Sequence, residues 1–172
     1  MDISIVGENS LKIKGKQATF IVNPTSSLPK TASDAIIVLD VSDNIDVEKV
    51  IDSRIIISGP GGYEVGGTKI SGTKTSTGTL YKLLIDNVTV ILGSAIAEKV
   101  ESFNACEVAI INTNNNFNES FVTALEPKIS ILYGDKKIES AKTLGAENVS
   151  LVSKITITKD KLPEKMEIVV LG

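Results

Sequence analysis

The stretch "ISGPGGYEVGG", residues Ile57 to Gly67, carries five glycines and one proline within eleven residues. It follows the apolar run "RIIIS" and precedes the strand-like "TKISGTKT". Proline fixes its own φ, and glycine adopts positive φ without steric cost, so such a segment is typical of turns that connect strands. The stretch therefore predicts a hairpin region inside a β-rich chain.

A phosphate-binding loop is the alternative explanation of these glycines. The dinucleotide-binding fingerprint G-x-G-x-x-G fits at Gly59 and Gly61, but Glu64 stands at its third glycine and no helical pattern follows. A P-loop needs lysine after its second glycine, and Gly67 stands there. Both motifs lack the structural context that they require, so the turn is the better interpretation.

The composition favours one globular domain over residues 1–172, with 42% hydrophobic and 23% charged residues. No apolar run approaches the roughly 20 residues of a membrane span, and the chain opens without a signal-peptide pattern. We therefore expect a cytoplasmic protein. The net charge is −3 and Arg54 is the sole arginine, which argues against a nucleic-acid-binding surface.

The scarcity of histidine and cysteine limits the possible metal sites and catalytic mechanisms more than any motif does. The chain contains no histidine and one cysteine, Cys106. A conventional catalytic zinc site needs imidazole or thiolate ligands, so one chain cannot assemble such a site alone. Ser-His-Asp and Cys-His catalysis are excluded for the same reason. We expect Cys106 to pack as a small apolar side chain without a disulfide.

Short apolar segments predict strands in the first two-thirds of the chain, and alternating helices and strands after about residue 94. "AIIVL" (35–39) and "IIIS" (55–58) read as strands buried on both faces, and "VEKVI" (47–51) as one helical turn. Asp86-Asn87 suits a tight hairpin. "VSLVSKITIT" reads as strand, and the hydroxyls of Tyr63 and Tyr81 are expected to point outward.

Two capped helix starts and one helix end are readable in the second part of the chain. Ser94 is placed as the N-cap of a helix over "SAIAEKVESF", and Asn118 as the N-cap of a helix over "NESFVTAL". Gly145 suits the left-handed C-cap of "KKIESAKTL". Together these segments predict an α/β domain.

The glycine stretch also carries a family resemblance. "ISGPGGYEVGGTKISG" resembles the "I-S-G-P-G-E-Y-E-[IV]-x-G-V-x-I-x-G" segment of bacterial hydrolases with the metallo-β-lactamase fold, in the lactamase-B-like branch. Four more segments are similar to that family in the same order: "SLKIKGKQATFIVNP", "GTLYKLLIDNVTVILG", "LEPKISIL" and "ITITKDKLPEKMEIVVL". The resemblance implies a shortened four-layer αββα sandwich with a metal site at one edge of its two sheets.

The metal ligands of that family are missing from this chain. The family's H-x-H-x-D-H is replaced by "DVSDNI", with a register that a loop gap leaves open by one residue, and its H-L-G-D by "ILGS". The last histidine corresponds to the glycine of "LYGD", and Glu8 replaces another in "GENS". The resemblance thus marks these vestigial positions: Asp40, Ser42, Asn44, Ile45, Ile91, Ser94 and Gly134.

A harder metal remains an alternative. "DVSDNIDVEKVI" puts oxygen-bearing side chains at alternate positions as in an EF-hand loop, but Ile45 stands at the turn glycine and Ile51 at the bidentate glutamate. Asp40, Asp43 and Asp135 are the best candidates for a Ca²⁺ or Mg²⁺ site. Asn112, Asn114 and the same acidic residues Asp43 and Asp135 are the candidate ligand-lining side chains.

Three functions remain open at this point. The leading hypothesis is a non-catalytic member of this hydrolase fold without a cofactor, acting by binding or assembly as a homo-oligomer or together with an active relative. The second is a hydrolase using carboxylate and hydroxyl groups such as Asp40, Asp135, Ser42 and Ser94. The third is a small-ligand module in the vacated cleft, which fails if Ile45 and Ile91 fill that cleft.

Overall fold

The computed structural model describes residues 1–40, 44–94, 103, 105–114 and 117–172. Within these residues the chain forms sixteen strands, numbered in chain order, and two α-helices. Most strands belong to two sheets that pack face to face. A separate pair of short strands, β4 (Thr31–Ala32) and β6 (Val50–Ile51), runs parallel beside the first sheet.

The first sheet has six strands in the order β15-β1-β2-β3-β5-β7. Its strands β15, β1, β2 and β3 are antiparallel, and β5 and β7 continue parallel to β3. The last strand, β7, forms an open edge. The strands are β1 (Asp2–Ile5), β2 (Leu11–Lys14), β3 (Thr19–Val22), β5 (Ala35–Ile37), β7 (Ile55–Ile57) and β15 (Lys154–Thr156).

The second sheet has eight strands in the order β14-β16-β13-β12-β11-β10-β9-β8. One half consists of antiparallel hairpins, and the half from β11 to β14 is parallel. The strands are β8 (Gly61–Val65), β9 (Thr68–Thr75), β10 (Gly78–Ile85), β11 (Val88–Ser94), β12 (Val108–Asn112), β13 (Ile129–Tyr133), β14 (Leu151–Val152) and β16 (Glu167–Leu171).

Two apolar clusters follow from the period-two alternation of the strands. The larger one lies between the sheets, where fully buried side chains such as Phe20 and Ile13 meet Tyr81 and Leu92. The smaller one lies between the eight-stranded sheet and α1 (Glu119–Ala124) and α2 (Lys137–Thr143). A short 3₁₀ helix spans Lys159–Lys161. No helix among the described residues is long and apolar enough to cross a bilayer.

Several local predictions are confirmed. Asp86 and Asn87 turn the β10–β11 hairpin, both with positive φ. The side chain of Asn118 accepts from the Phe121 N–H and caps α1. After α2, Gly145 has a φ of +93°, and its N–H donates to Lys142 O. Of the predicted Ser94-capped helix, most residues lie outside the described part, and Ser94 itself ends strand β11.

The glycine stretch resolves into two turns with a strand between them. Ser58 to Pro60 connects β7 to β8, so the chain passes here from one sheet to the other. Gly66 and Gly67, both with positive φ, turn the β8–β9 hairpin. The predicted hairpin is confirmed, and the glycines at 61 and 62 belong to β8 itself.

Three other predictions are wrong, each because sheet pairing overrides the local pattern. The helical turn expected over 47–51 is reduced to a single turn in which the Val50 N–H donates to Val47 O, since Val50 and Ile51 pair with Thr31 and Ala32 as β6. The strand expected to be buried over 55–58 is an edge strand, with Ile56 51% exposed. The single strand expected around 149–158 breaks at Ser153 into β14 and β15, which belong to different sheets.

The outer layers of the sandwich are unequal. Both described helices cover the eight-stranded sheet. On the outer face of the six-stranded sheet, the described residues provide the β4–β6 pair and its loop. Val47 of that loop and Val50 of β6 line a groove together with Ile36 of β5 and Ile56 of β7. The architecture is therefore α/β with two packed sheets, as expected, and with a short fourth layer.

Candidate functional site

The candidate site lies where the parallel strands β11, β12 and β13 end side by side. Their last residues pair across the sheet as Ser94 with Asn112 and Asn112 with Tyr133. The alternate residues before them on each strand, such as Val90 and Leu92, belong to the inter-sheet core. By this alternation Ser94, Asn112 and Tyr133 form one row on the inner face of the sheet. The sequence predicted two of them, Ser94 and Asn112.

The six-stranded sheet reaches this region through the residues that follow β5. The Leu39 N–H donates to Asn23 Oδ1 at 2.9 Å, and the Leu39 O accepts from the Thr79 N–H at 2.7 Å. Asp40 follows directly and is half-buried. Its Cβ lies 3.2 Å from the position that a Cβ on Gly78 would take. The backbone before Asp40 is therefore fixed between the ends of β3 and β10.

The buried hydroxyl of Tyr81 fastens the same segment from the other sheet. It donates to Val38 O at 3.0 Å, and the side chain has no exposed surface. The expectation that this hydroxyl points outward is wrong, since the carbonyl at the end of β5 offers it an acceptor inside the core. Burial raises the pKa of Tyr81 to about 12. The hydroxyl therefore stays protonated and keeps its role as a donor.

The loop after β12 is held by its own asparagines. Asn112 Oδ1 accepts from the Asn114 N–H at 2.9 Å, and Asn114 Oδ1 accepts from the Asp135 N–H at 2.9 Å. Between them, the hydroxyl and N–H of Thr113 both donate to Tyr133 O at 2.8 Å. These bonds join the ends of β12 and β13. We call the network of Asn112, Thr113 and Asn114 the asparagine loop.

Gly134 lies against the asparagine loop with no room for a side chain. Its φ is +106°, and an added Cβ would stand 2.5 Å from Asn114 Oδ1 and 3.1 Å from the Thr113 nitrogen. A side chain at 134 would thus suffer both backbone strain and a collision. The amide of Asn114 occupies the space into which a residue at this position would project.

Asp135 links this edge to the six-stranded sheet. Its Oδ1 accepts from Asn9 Nδ2 at 3.4 Å, and Asn9 belongs to the loop between β1 and β2. Asp135 and the neighbouring Glu8 are exposed. The structure thus brings together five of the predicted residues or their backbones: Asp135, Gly134, Asn114, Asn112 and Ser94.

The remaining predicted positions do not join this cluster. Ile91 is fully buried in the cluster under the helices, on the opposite face of β11 from Ser94. It therefore does not fill the cleft between the sheets, contrary to what was considered from the sequence. Asn44 is exposed and Ile45 half-buried, just before Asp46, whose N–H donates to Pro24 O. Ser42 and Asp43 lie outside the described residues.

Sequence reasoning missed Asn23, Thr79 and Tyr133. Asn23 stands before Pro24 with a φ of +45°, and its amide caps the segment after β5. The Asn-Pro pair ends the segment "SLKIKGKQATFIVNP", which was considered only for its family resemblance. Tyr133 ends an apolar strand and gave no polar signal before the pairing of β12 with β13 was known.

Solved structures share this architecture. A candidate Zn-dependent hydrolase of the metallo-β-lactamase superfamily from Thermotoga maritima matches with a TM-score of 0.77 and 18% identity, over 99% of this chain and 98% of the other. The chain has the metallo-β-lactamase fold. The metallo-β-lactamase fold protein YhfI from Bacillus subtilis matches with a TM-score of 0.62 and 10% identity, over 98% of this chain and 95% of YhfI.

A third solved structure with the same architecture is a variant of the CmlA β-hydroxylase. It matches with a TM-score of 0.65 and 10% identity, over 91% of this chain and 53% of the CmlA chain. Neither a protein-family model nor a curated protein sequence matches the chain. At these identities the likeness shows the metallo-β-lactamase fold alone.

The donors at this edge do not fit the dinuclear metal centre that the fold implies. The chain has no imidazole, and a side chain at position 134 collides with Asn114. The described residues contain no cluster of three or more acidic, cysteine or histidine side chains. The side-chain oxygens of Asn112 and Asn114 already accept hydrogen bonds from backbone N–H groups. In place of metal ligands, this edge contains hydrogen bonds that join its loops.

Cys106 is no alternative nucleophile. It is buried under the helices beside Ile91 and Ala109, away from the row on the inner face. Burial raises the pKa of its thiol to about 12, so the thiolate is scarce at neutral pH. The prediction that it packs as a small apolar side chain is confirmed.

Proposed function

We propose that this protein is a non-catalytic relative of the hydrolases with the metallo-β-lactamase fold, acting through binding or assembly. The observation that carries the proposal is the collision at Gly134. At the position that the resemblance aligns with the family's last histidine, φ is +106° and an added Cβ would stand 2.5 Å from Asn114 Oδ1, so a side chain there requires backbone strain and displacement of the Asn114 amide. Loss of a ligand alone would leave a gap, whereas here Asn114 has taken the space.

The hydrogen bonds of this edge support the same proposal. A metal pair cross-links loops from several strands through its ligands. In this chain the asparagine loop joins β12 to β13, the Asn9–Asp135 bond joins the two sheets, and Asn23 holds the residues after β5. Side-chain amide groups thus join the loops at this edge of the two sheets. A scaffold that is maintained without the catalytic ligands favours a role in binding.

The proposal is tested by measuring the metal content of the purified protein. The protein is expressed without added metal and analysed for zinc, iron and manganese, and its thermal unfolding is followed with and without a chelator. We expect far less than one metal per chain and an unchanged Tm, because no described contact depends on an ion. A stoichiometric transition metal, or a Tm that falls with chelator, contradicts the proposal.

An activity screen separates the proposal from a carboxylate-based hydrolase. Phosphodiesters, thioesters and lactams are offered to metal-free protein and to the Asp40→Asn variant. We expect neither sample to hydrolyse these substrates faster than the uncatalysed background. If the unmodified protein hydrolyses a substrate and the variant does not, the protein is a hydrolase and the proposal of a non-catalytic role is wrong.

A further inference from the structure

In the part of the chain that the structure describes, an apolar surface beside strand β7 is left uncovered. Four large side chains are exposed there: Val47 at 37%, Ile51 at 37%, Ile55 at 38% and Ile56 at 51%. Three of them, Val47, Ile55 and Ile56, line a groove of about 320 Å³ together with Ile36. Contiguous apolar surface on a folded chain is commonly a contact site. We call these four residues, together with Arg54, the β7 flank.

The backbone of β7 leaves one set of hydrogen-bonding groups open. β7 is the last strand of its sheet, and Ile57 O accepts from the Val38 N–H at 2.8 Å, so Ile57 faces β5. The N–H and C=O of one residue point to the same side, and this direction alternates along a strand. Ile55 therefore also faces β5, and the N–H and C=O of Ile56 point to the open edge. An unprotected edge of this kind accepts another strand. The β7 flank therefore offers both apolar surface and a strand edge.

The charges around the β7 flank are compatible with contact between two copies of this surface. The ten residues from Val47 to Ile56 contain two acidic side chains, Glu48 and Asp52, and two basic ones, Lys49 and Arg54, all of them exposed. A two-fold contact places a surface against its own copy, so a single-signed rim would repel. The net charge of these ten residues is zero, and charges of both signs are present, which favours a second copy of the chain as the partner.

We propose that two copies of this chain pair through β7, antiparallel, across a two-fold axis at Ile56. The two Ile56 residues exchange their open N–H and C=O groups, and the two six-stranded sheets become continuous. On the outer face, the two Ile56 side chains then lie opposite each other and cover one another's apolar surface. This pairing rests on the assembly role proposed above and names its interface.

Sedimentation velocity over a wide range of concentrations tests the pairing. We expect a monomer–dimer equilibrium in the unmodified protein and at least a tenfold weaker association for Ile56→Lys, which puts two like charges opposite each other across the two-fold axis. Leu151→Lys is the matched control: Leu151 is 49% exposed on β14, the edge strand of the other sheet. Circular dichroism verifies that both variants fold, and the control should associate like the unmodified protein.

Ile56→Cys tests the register. Facing residues of a hydrogen-bonded antiparallel pair have Cα atoms about 5.5 Å apart, within reach of a disulfide. We expect mild oxidation to cross-link Ile56→Cys, and not Leu151→Cys, into dimers. A monomer at every concentration, or a dimer that Ile56→Lys leaves intact, overturns the pairing in favour of another occupant of the groove.

The same samples keep this test separate from the proposed function. A metal-free protein that stays monomeric refutes only the β7 pairing. A dimer that carries stoichiometric metal refutes only the non-catalytic proposal.

Discussion

At the scale of single residues, the proposed function depends most on Gly134 and Asn114. The family resemblance aligns Gly134 with a histidine. That a glycine is favoured at this position follows only from its φ of +106° and from the amide oxygen beside it. Because the Asn114 amide occupies the adjacent space, a side chain at position 134 would have to displace it.

Gly134→Ala should therefore destabilise the protein more than an ordinary glycine substitution. Gly145→Ala is the matched control, because Gly145 also has positive φ, +93°, but no atom lies within 4 Å of an added Cβ. Each variant is expected to lose about 1–3 kcal/mol to backbone strain, and Gly134→Ala a further loss from the collision. Urea denaturation measures both. If both variants lose the same free energy of unfolding, the contact with Asn114 does not contribute to the cost at position 134.

At the scale of strands, Tyr81 connects β10 of one sheet to the end of β5 in the other. Tyr81→Phe should lower the free energy of unfolding by about 1 kcal/mol, because one buried hydrogen bond is lost while the ring still fills its place. Tyr63→Phe serves as the comparison, since its hydroxyl donates to Gly59 O within the same turn and is only half-buried. We expect a smaller loss there. A neutral Tyr81→Phe would show that the bond does not couple the sheets.

Strand existence was well predicted from the sequence, and strand environment was not. The alternation of apolar residues and the Asp86-Asn87 turn define β10 and β11 without any structure. The exposure of Ile56 could not be read in the same way, since "RIIIS" is as apolar as a central strand. Only the sheet order places β7 at an edge. Likewise, Ile91 was predicted at the site, and the pleat of β11 directs it to the helix layer.

At the scale of the whole molecule, the buried acids with raised pKa control stability at high pH. Burial raises the pKa of Cys106 from 9.0 to about 12 and that of Tyr81 from 10.0 to about 12. The unfolded chain ionises these groups first and the folded chain keeps them neutral. Stability is thus complete below about pH 9 and declines as the pH rises toward 12.

Denaturation at pH 8 and pH 10 measures this decline, and Cys106→Ala isolates the thiol. One pH unit above its ordinary pKa, the thiol should cost the unmodified protein about 1.4 kcal/mol that the variant does not lose. Effects of lysine titration are common to both and cancel. If the two proteins lose the same free energy between these pH values, the thiol does not ionise differently on unfolding.

The break of the chain at Ser153 makes β1 depend on a segment that is distant in sequence. Because β14 completes one sheet and β15 the other, β1 obtains its second neighbour from Lys154–Thr156. During synthesis, one edge of β1 therefore stays unpaired until this segment has been made. Such distant pairing slows folding and exposes an unpaired strand edge to aggregation in the meantime.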